Sequence, residues 1–399
     1  TGKVKDIFYG MDGSGWVMGR MLGKEIIMKT NKKLLSLIMI LAITLSSTAC
    51  GTKSQNTLSS SGTSAPESKS TPAMQTAEQA STPTSSTPEY TIRYAFTSPQ
   101  NSQVGKIAEG FKERVESLSN GRITVEMYPD AQLGDKAANL ESVRTGELEM
   151  CDASASDMSG YNGRWSVFSF PYMYNDSREM LDVVRSDTVF TMLDSDTTAA
   201  GFKIITFADF GSRNVFANKA VRTPADAKGI KIRVMNDPIL AKTMELMGFS
   251  AISLGWSEVY TAMQQGTIDA LEQNEALCAD NMLFEVANTY SYTEQFRIPG
   301  IQYMSAKFYD SLPEDLQEAV IQAGIENEEL IYQWFPEYNQ KSIDVLKENG
   351  VTFVDTDKDS FIEATAPIKD YYFSLNTTPT DAQELYDAMI AARSAIRGE

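Results

Sequence analysis

Histidine is absent from all 399 residues of the chain. It is the commonest general base in enzymes and a frequent zinc ligand, so its absence excludes the Ser-His-Asp and Cys-His catalytic arrangements and most zinc sites. Asp and Glu are abundant, but no pair of catalytic carboxylates and no nucleophile with a neighbouring base stands out. We therefore do not expect an enzyme, and an exported hydrolase is the least favoured function.

Cysteine is scarce as well, and Cys50, Cys151 and Cys278 lie far apart in the sequence. Because no CxxC spacing is present, the pattern indicates neither a metal cluster nor a dense disulfide framework. We expect no metal and no cofactor. Cys151 and Cys278 are expected to be small, buried apolar side chains.

Basic residues are outnumbered, with 35 Lys and Arg against 53 Asp and Glu and a formal net charge of −18. An acidic surface repels the phosphate backbone, so nucleic acid is not expected as a partner. Hydrophobic residues make up 42% of the chain, which is enough for one large folded domain or two smaller ones.

The apolar run at residues 34–45 is too short to cross a bilayer, which takes about 20 residues. Lys29, Lys32 and Lys33 precede it, and small residues followed by Cys50 come after it. This order is typical of a cleaved signal peptide, which we place at residues 28–49.

Residues 46–50, SSTAC, resemble a bacterial lipobox, although Ser47 stands where a larger aliphatic residue is usual. We expect lipidation at Cys50 in preference to a free thiol. The protein would then be exported and lipid-anchored to the outer face of the cytoplasmic membrane, in contact with the periplasm or the exterior. After the lipidated cysteine, residues 50–89 are rich in Ser, Thr and Pro and are expected to form a disordered linker.

Residues 1–27 do not fit this scheme, because a signal peptide should open near its basic cluster and Met28 is the natural start. The codons of Gly23, Lys24 and Glu25 can contain AAGGAG, a ribosome-binding sequence, shortly before the Met28 codon. We hypothesise that residues 1–27 are translated upstream DNA and not native sequence.

From Tyr90 onward, strand-like and helical patterns alternate. Strand-like runs, separated by helical stretches, occur at residues 91–96, 122–129, 148–154, 201–210 and 229–235. This alternation predicts an α/β architecture with parallel crossovers. A long helical pattern at residues 314–349, with Pro336 expected to kink it, could bridge two lobes, and the C-terminal tail is helical too.

Five stretches match a known family in order: MYPDAQLGD (127–135), VFSFPYM (167–173), GSRNVFANKAVRTPADAKGIKIRV (211–234), LGWSEVYTAMQQGTIDALEQ (254–273) and LPEDLQEAV (312–320). Over about residues 90–375 the chain resembles the DctP family, the solute-binding subunits of TRAP (tripartite ATP-independent periplasmic) transporters. The resemblance implies a two-lobed, periplasmic-binding-protein-like α/β fold with hinge segments, a long bridging helix and the ligand cleft between the lobes. Lobe one would comprise 90–210 and 299–338, lobe two 211–298 and 339–376, and a C-terminal helix 377–399.

Arg233, in KIRVM, matches the family arginine that pairs with a ligand carboxylate. A planar guanidinium offers two parallel donors to a carboxylate, and this pairing gains strength in a closed, water-poor cleft. By pattern alone, an arginine at a strand end is also compatible with an exposed ion pair of little energetic weight. Arg213, in GSRNVF, matches a second family position that reaches the same cleft.

Further ligand contacts are implied at several matching positions. Gln273 aligns where many members carry an asparagine, in a motif resembling DGxEN, and Asn274 could take that role instead. Trp256 falls where members place an aromatic over the ligand, although a core tryptophan is equally compatible. The lobe-one residues implied to face the cleft are Ser154, Ser156, Asp157 and, as an alternative to a turn former, Thr97.

The resemblance implies a protein that captures a small organic acid, such as a C4-dicarboxylate or a sugar acid, outside the cytoplasmic membrane. Its partners would be the small and large membrane subunits of a TRAP transporter, which take up the acid at the expense of an ion gradient. Two alternatives share the bilobed shape: the lipoprotein binding component of an ABC importer and an extracellular ligand sensor.

Overall fold

The computed structural model describes residues 88–399 and the backbone of two short strands near the N-terminus. These strands, β1 (Ile7–Asp12) and β2 (Gly15–Arg20), pair antiparallel as a hairpin. The predicted signal peptide, Cys50 and the linker up to residue 87 lie outside the described residues, as does the rest of the 1–27 segment. The predictions for these segments therefore stay predictions.

The strands from residue 88 onward are short and belong to two sheets. In chain order they are β3 (Tyr90–Ala95), β4 (Ile123–Tyr128), β5 (Met150–Ser154), β6 (Phe202–Ala208), β7 (Arg213–Ala217), β8 (Lys231–Val234), β9 (Ser250–Ser253), β10 (Ala270–Gln273), β11 (Thr289–Phe296), β12 (Gly300–Ser305) and β13 (Thr352–Val354). The helices between and after them are α1 (Gln103–Leu118), α2 (Lys136–Thr145), α3 (Ser177–Arg185), α4 (Asp187–Ala200), α5 (Pro238–Leu246), α6 (Val259–Gln264), α7 (Glu275–Asp280), α8 (Ala306–Ser311), α9 (Glu314–Glu348), α10 (Lys358–Thr365), α11 (Ile368–Ser374) and α12 (Ala382–Arg397).

Each sheet is the centre of one lobe. The lobe-one sheet has the order β4-β3-β5-β12-β6, and the lobe-two sheet has the order β13-β11-β7-β10-β8-β9. The predicted parallel pairs exist, since β3 runs parallel to β4 and β5, and β8 to β9 and β10. The sheets are nevertheless mixed, because β7 and β12 each run antiparallel to both neighbours. These two strands enter directly from a strand of the other lobe, without a crossover helix.

Three connections within the described region join the lobes near one another. Residues 209–212 link β6 to β7, and residues 297–299 link β11 to β12. Helix α9 is the third, and its 35 residues continue through Pro336 without a break. Leu316 and Val320 in its first half pack into the core of lobe one, whereas Leu346 packs into the core of lobe two. The helix therefore bridges the lobes, as its length predicts.

The lobes also touch through aromatic side chains on the face that carries residues 163–169, a 3-10 helix. The Phe170 ring, which follows that helix, packs edge-on against Tyr372 of α11 and Tyr386 of α12. Helix α12 lies against α3, α4 and residues 163–169 of lobe one. Within the described part of the chain, no helix is both long and apolar enough to cross a bilayer.

Candidate ligand-binding cleft

A cleft of about 340 Å³ lies between the two lobes. Lobe one and the 209–212 connection line it with Ser98, Val104, Asp135, Lys136, Ala137, Ser154, Asp157 and Phe210. Lobe two lines it with Arg213, Arg233, Met235, Asn236, Ser253, Leu254, Gly255, Trp256, Glu258, Gln273 and Leu277. A volume of this size suits a small organic molecule enclosed from both sides.

Arg233 is buried on β8, with only 4% of its surface exposed, and it lines the cleft. Its Nε donates to the backbone oxygen of Leu254 at 2.9 Å, which fixes one edge of the guanidinium. The ring of Trp256 lies 5.6 Å from its Cζ, within the range of a cation–π contact. Neither Nη atom has a hydrogen-bond or ion-pair partner among the described residues. Burial, with Arg213 nearby, lowers the pKa of Arg233 to about 10.

Arg213 is buried equally well on β7, but its charge is already matched. The Glu272 carboxylate, which is fully buried on β10, accepts hydrogen bonds from its Nε and, at 2.9 Å, from its Nη2. Burial lowers the pKa of Arg213, but Glu272 outweighs this effect and the net shift is upward. Of the two predicted arginines, only Arg233 therefore retains a free positive edge toward the cleft.

Gln273 lines the cleft, as the resemblance implies, in an orientation that Arg213 sets. Its Oε1 accepts from Arg213 Nη1 and from the backbone N–H of Asn274, both at 3.0 Å. The amide nitrogen of Gln273 donates to no described residue, so it remains available as a donor to a ligand.

Asn274 is not brought to the cleft. It is fully buried as the N-cap of α7, where its Oδ1 accepts from the Leu277 N–H at 2.7 Å. Its Nδ2 donates to the backbone oxygen of Phe210 and to Gln103 Oε1. All its polar groups are used in joining the lobes, which corrects the expectation that Asn274 binds ligand.

Ser154 and Asp157 line the cleft at the end of β5, whereas Ser156 does not. Asp157 Oδ2 accepts from the Ser154 N–H at 2.8 Å and from Ser154 Oγ at 2.6 Å, which leaves Oδ1 without a partner among the described residues. Ser156 is buried against Ser154 Oγ and the Met235 sulfur, so its hydroxyl serves the contact between lobes.

Thr97 does not line the cleft, but its neighbour Ser98 does. Side chains alternate across an extended strand end, so a one-residue difference exchanges the two faces. The sequence reasoning also missed Lys136, the first residue of α2, which reaches the cleft from lobe one. Nothing in the sequence pattern distinguishes Lys136 from an ordinary surface lysine.

The lobes meet at the mouth and at the base of the cleft. A Cβ built on Gly255 of lobe two would lie 2.3 Å from Asp135 Oδ2 of lobe one, so only glycine permits this approach. At the base, Ser169 Oγ of lobe one donates to Asp237 Oδ2 at 2.7 Å, while the same carboxylate caps α5 in lobe two. These contacts describe a closed arrangement of the lobes.

Residues 94–375 match the family model described as bacterial extracellular solute-binding protein, family 7, known as DctP. The chain belongs to this family. The predicted resemblance is thereby confirmed, and with it the two-lobed α/β fold. The site of this solute-binding protein is then the cleft itself, although the ligand contacts named from the sequence stay predictions.

Individual relatives agree with this assignment. The chain is 34% identical to the uncharacterized protein YiiZ of Salmonella typhimurium over 71% of this chain and 86% of that protein. It is 27% identical to the 2,3-diketo-L-gulonate-binding periplasmic protein YiaO of Escherichia coli over 69% and 83% of the two chains. A crystal structure of a TRAP periplasmic solute-binding protein from Anaerococcus prevotii, with bound D-glucuronate, superposes with a TM-score of 0.72. That match has 28% identity and covers 77% of this chain and 99% of the other.

Proposed function

We propose that this solute-binding protein captures a small organic acid by placing one ligand carboxylate on Arg233. The observation that carries the proposal is the free Nη edge of a buried arginine that faces an enclosed cleft. A buried cation without a counter-charge is costly, and a ligand carboxylate supplies the missing partner. Trp256 and the amide nitrogen of Gln273 would complete the contacts on the lobe-two side.

Sugar acids are the ligand class that the relatives favour. The Escherichia coli relative is named for 2,3-diketo-L-gulonate, and the Anaerococcus prevotii structure holds D-glucuronate. Both molecules carry one carboxylate and several oxygen functions, and the cleft offers one free guanidinium beside hydroxyl, amide and carboxylate groups.

We further propose that the closed, loaded form docks onto the membrane subunits of a TRAP transporter, while lipidation at Cys50 holds the protein at the membrane. Family membership supports the transporter, and the SSTAC segment supports the anchor. Binding and release, without chemical change of the ligand, would be the whole function.

Thermal unfolding of the protein with D-glucuronate and with D-glucose tests the central step, because the two sugars differ in the carboxylate. A ligand that binds the folded state raises the unfolding midpoint by mass action. We expect D-glucuronate or a related sugar acid to raise the midpoint and D-glucose to leave it unchanged. Equal shifts with both sugars, or no shift with any acid, would contradict the proposal.

A further inference from the structure

Lys136 forms an ion pair at the lobe-one wall of the cleft. Its Nζ lies 3.2 Å from Oδ2 of Asp152 on β5. The Lys136 side chain is 26% exposed and lines the cleft, whereas the Asp152 side chain is only 5% exposed and lies behind it. The lysine is thus the part of the pair that a ligand would touch.

The contact is mainly one of charge. Neither oxygen of Asp152 accepts a well-aligned hydrogen bond among the described residues. Burial lowers the pKa of Lys136, but Asp152 and Asp157 outweigh this effect and raise it overall. The lysine is therefore charged, and the carboxylate behind it compensates that charge.

Most of the cations that line the cleft are compensated in this way. Arg213 is paired with Glu272, and Lys136 is paired with Asp152. Beside Lys136, Asp157 exposes its Oδ1 to the cleft without a partner among the described residues. Of the cations that line the cleft, Arg233 alone lacks a carboxylate partner within the described residues.

We infer that the Lys136–Asp152 pair and Asp157 form a polar subsite that binds ligand hydroxyl groups and disfavours a second carboxylate. The inference rests on the proposed function, in which Arg233 holds the first carboxylate. Hydroxyl groups can donate to Asp157 Oδ1 and accept from Lys136 Nζ. A second carboxylate at this wall would face Asp157 without an uncompensated cation, and such like-charge contacts at binding sites are costly.

Calorimetric titration with D-glucuronate and D-glucarate tests the inference, because the two acids share a six-carbon polyhydroxyl skeleton and differ by one carboxylate. We expect the wild-type protein to bind D-glucuronate at least about tenfold more tightly than D-glucarate. Comparable affinity for both acids would overturn the inference while leaving the proposed function intact. Binding of neither acid, nor of succinate or D-gluconate, would overturn both.

Asp152→Asn is the decisive variant, because it removes the charge that compensates Lys136 and keeps the shape of the side chain. We expect the preference for D-glucuronate over D-glucarate to shrink by about fivefold or more, since a free ammonium then faces the second carboxylate. Asp157→Asn should also narrow the preference by removing the repelling charge. If Asp152→Asn does not fold, Asp157→Asn and the wild-type ratio still decide the question.

The matched control is Asp194→Asn. Asp194 pairs with Lys203 at 2.7 Å, and neither residue lines the cleft. This variant makes the same change in net charge at another Asp–Lys pair, so it should leave the ratio of the two affinities unchanged. An unchanged ratio in Asp152→Asn and Asp157→Asn alike, or an equal change in the control, would refute the inference.

Discussion

Replacing Arg233 with methionine should abolish acid binding and, in the same protein, stabilise the unliganded fold. The pKa of Arg233 is lowered by burial from 12.5 to about 10, so the charged form is disfavoured in the folded state. A shift of this size corresponds to about 3 kcal/mol of destabilisation at any pH where arginine is charged in both states. Methionine keeps much of the apolar stem and removes the charge.

Losses offset part of this gain. The variant loses the hydrogen bond to the Leu254 oxygen and the contact with Trp256, which together are worth about 1–2 kcal/mol. We therefore expect the free energy of unfolding to rise by about 1 kcal/mol while ligand affinity falls by at least about a hundredfold. Urea unfolding without ligand and calorimetric titration with D-glucuronate measure the two quantities.

Arg213→Met is the matched comparison, because Arg213 is buried to nearly the same extent and β10 lies between its strand and that of Arg233. It leaves the fully buried Glu272 without its partner, so we expect destabilisation by about 3–5 kcal/mol. If Arg233→Met were destabilised as much as Arg213→Met, the reasoning about the uncompensated guanidinium would be refuted.

Three further predictions concern the joints between elements. Burial raises the pKa of Asp280, which accepts from the Gln103 N–H and from Tyr338, to about 6. Between pH 4 and 6, roughly, the folded protein retains a proton that the unfolded chain has lost, so stability should fall as pH rises, by up to about 2 kcal/mol, and Asp280→Asn should flatten this slope in urea titrations. Asp237→Ala removes the cap of α5 and the Ser169 contact and should cost about 2 kcal/mol of unfolding free energy, whereas Asp237→Asn should retain most of it. Gly324→Ala would place a Cβ 2.1 Å from the Ile205 oxygen and should lower the thermal midpoint by the equivalent of about 1–3 kcal/mol, whereas Gly160→Ala, with nothing within 4 Å, should change it little.

Local sequence patterns predicted the elements of the fold well, because their apolar periodicity is short-ranged. The run at residues 91–96 corresponds to β3 at Tyr90–Ala95, and the pattern at 314–349 corresponds to α9 at Glu314–Glu348. The mixed sheets were not predicted, since the direction of β7 and β12 depends on the path of the chain between lobes and not on local sequence.

The candidate site was predictable where a motif carried it and not where a distant pairing decides the chemistry. Arg233 and Gln273 were found by motif, but the neutralisation of Arg213 follows from the pairing of β7 with β10, which joins residues 59 positions apart. Asn274 had a local signal, because an asparagine directly before a helix is a typical N-cap. Lys136 had none, since its role depends on α2 beginning beside Asp152.

Calorimetric titration of the wild-type protein and of Arg233→Met with D-glucuronate, at neutral pH and low ionic strength, tests the central claim most directly. The account predicts one binding site in the wild-type protein and a loss of affinity of at least about a hundredfold in a variant that remains folded. Undiminished binding of the acid by folded Arg233→Met would contradict it.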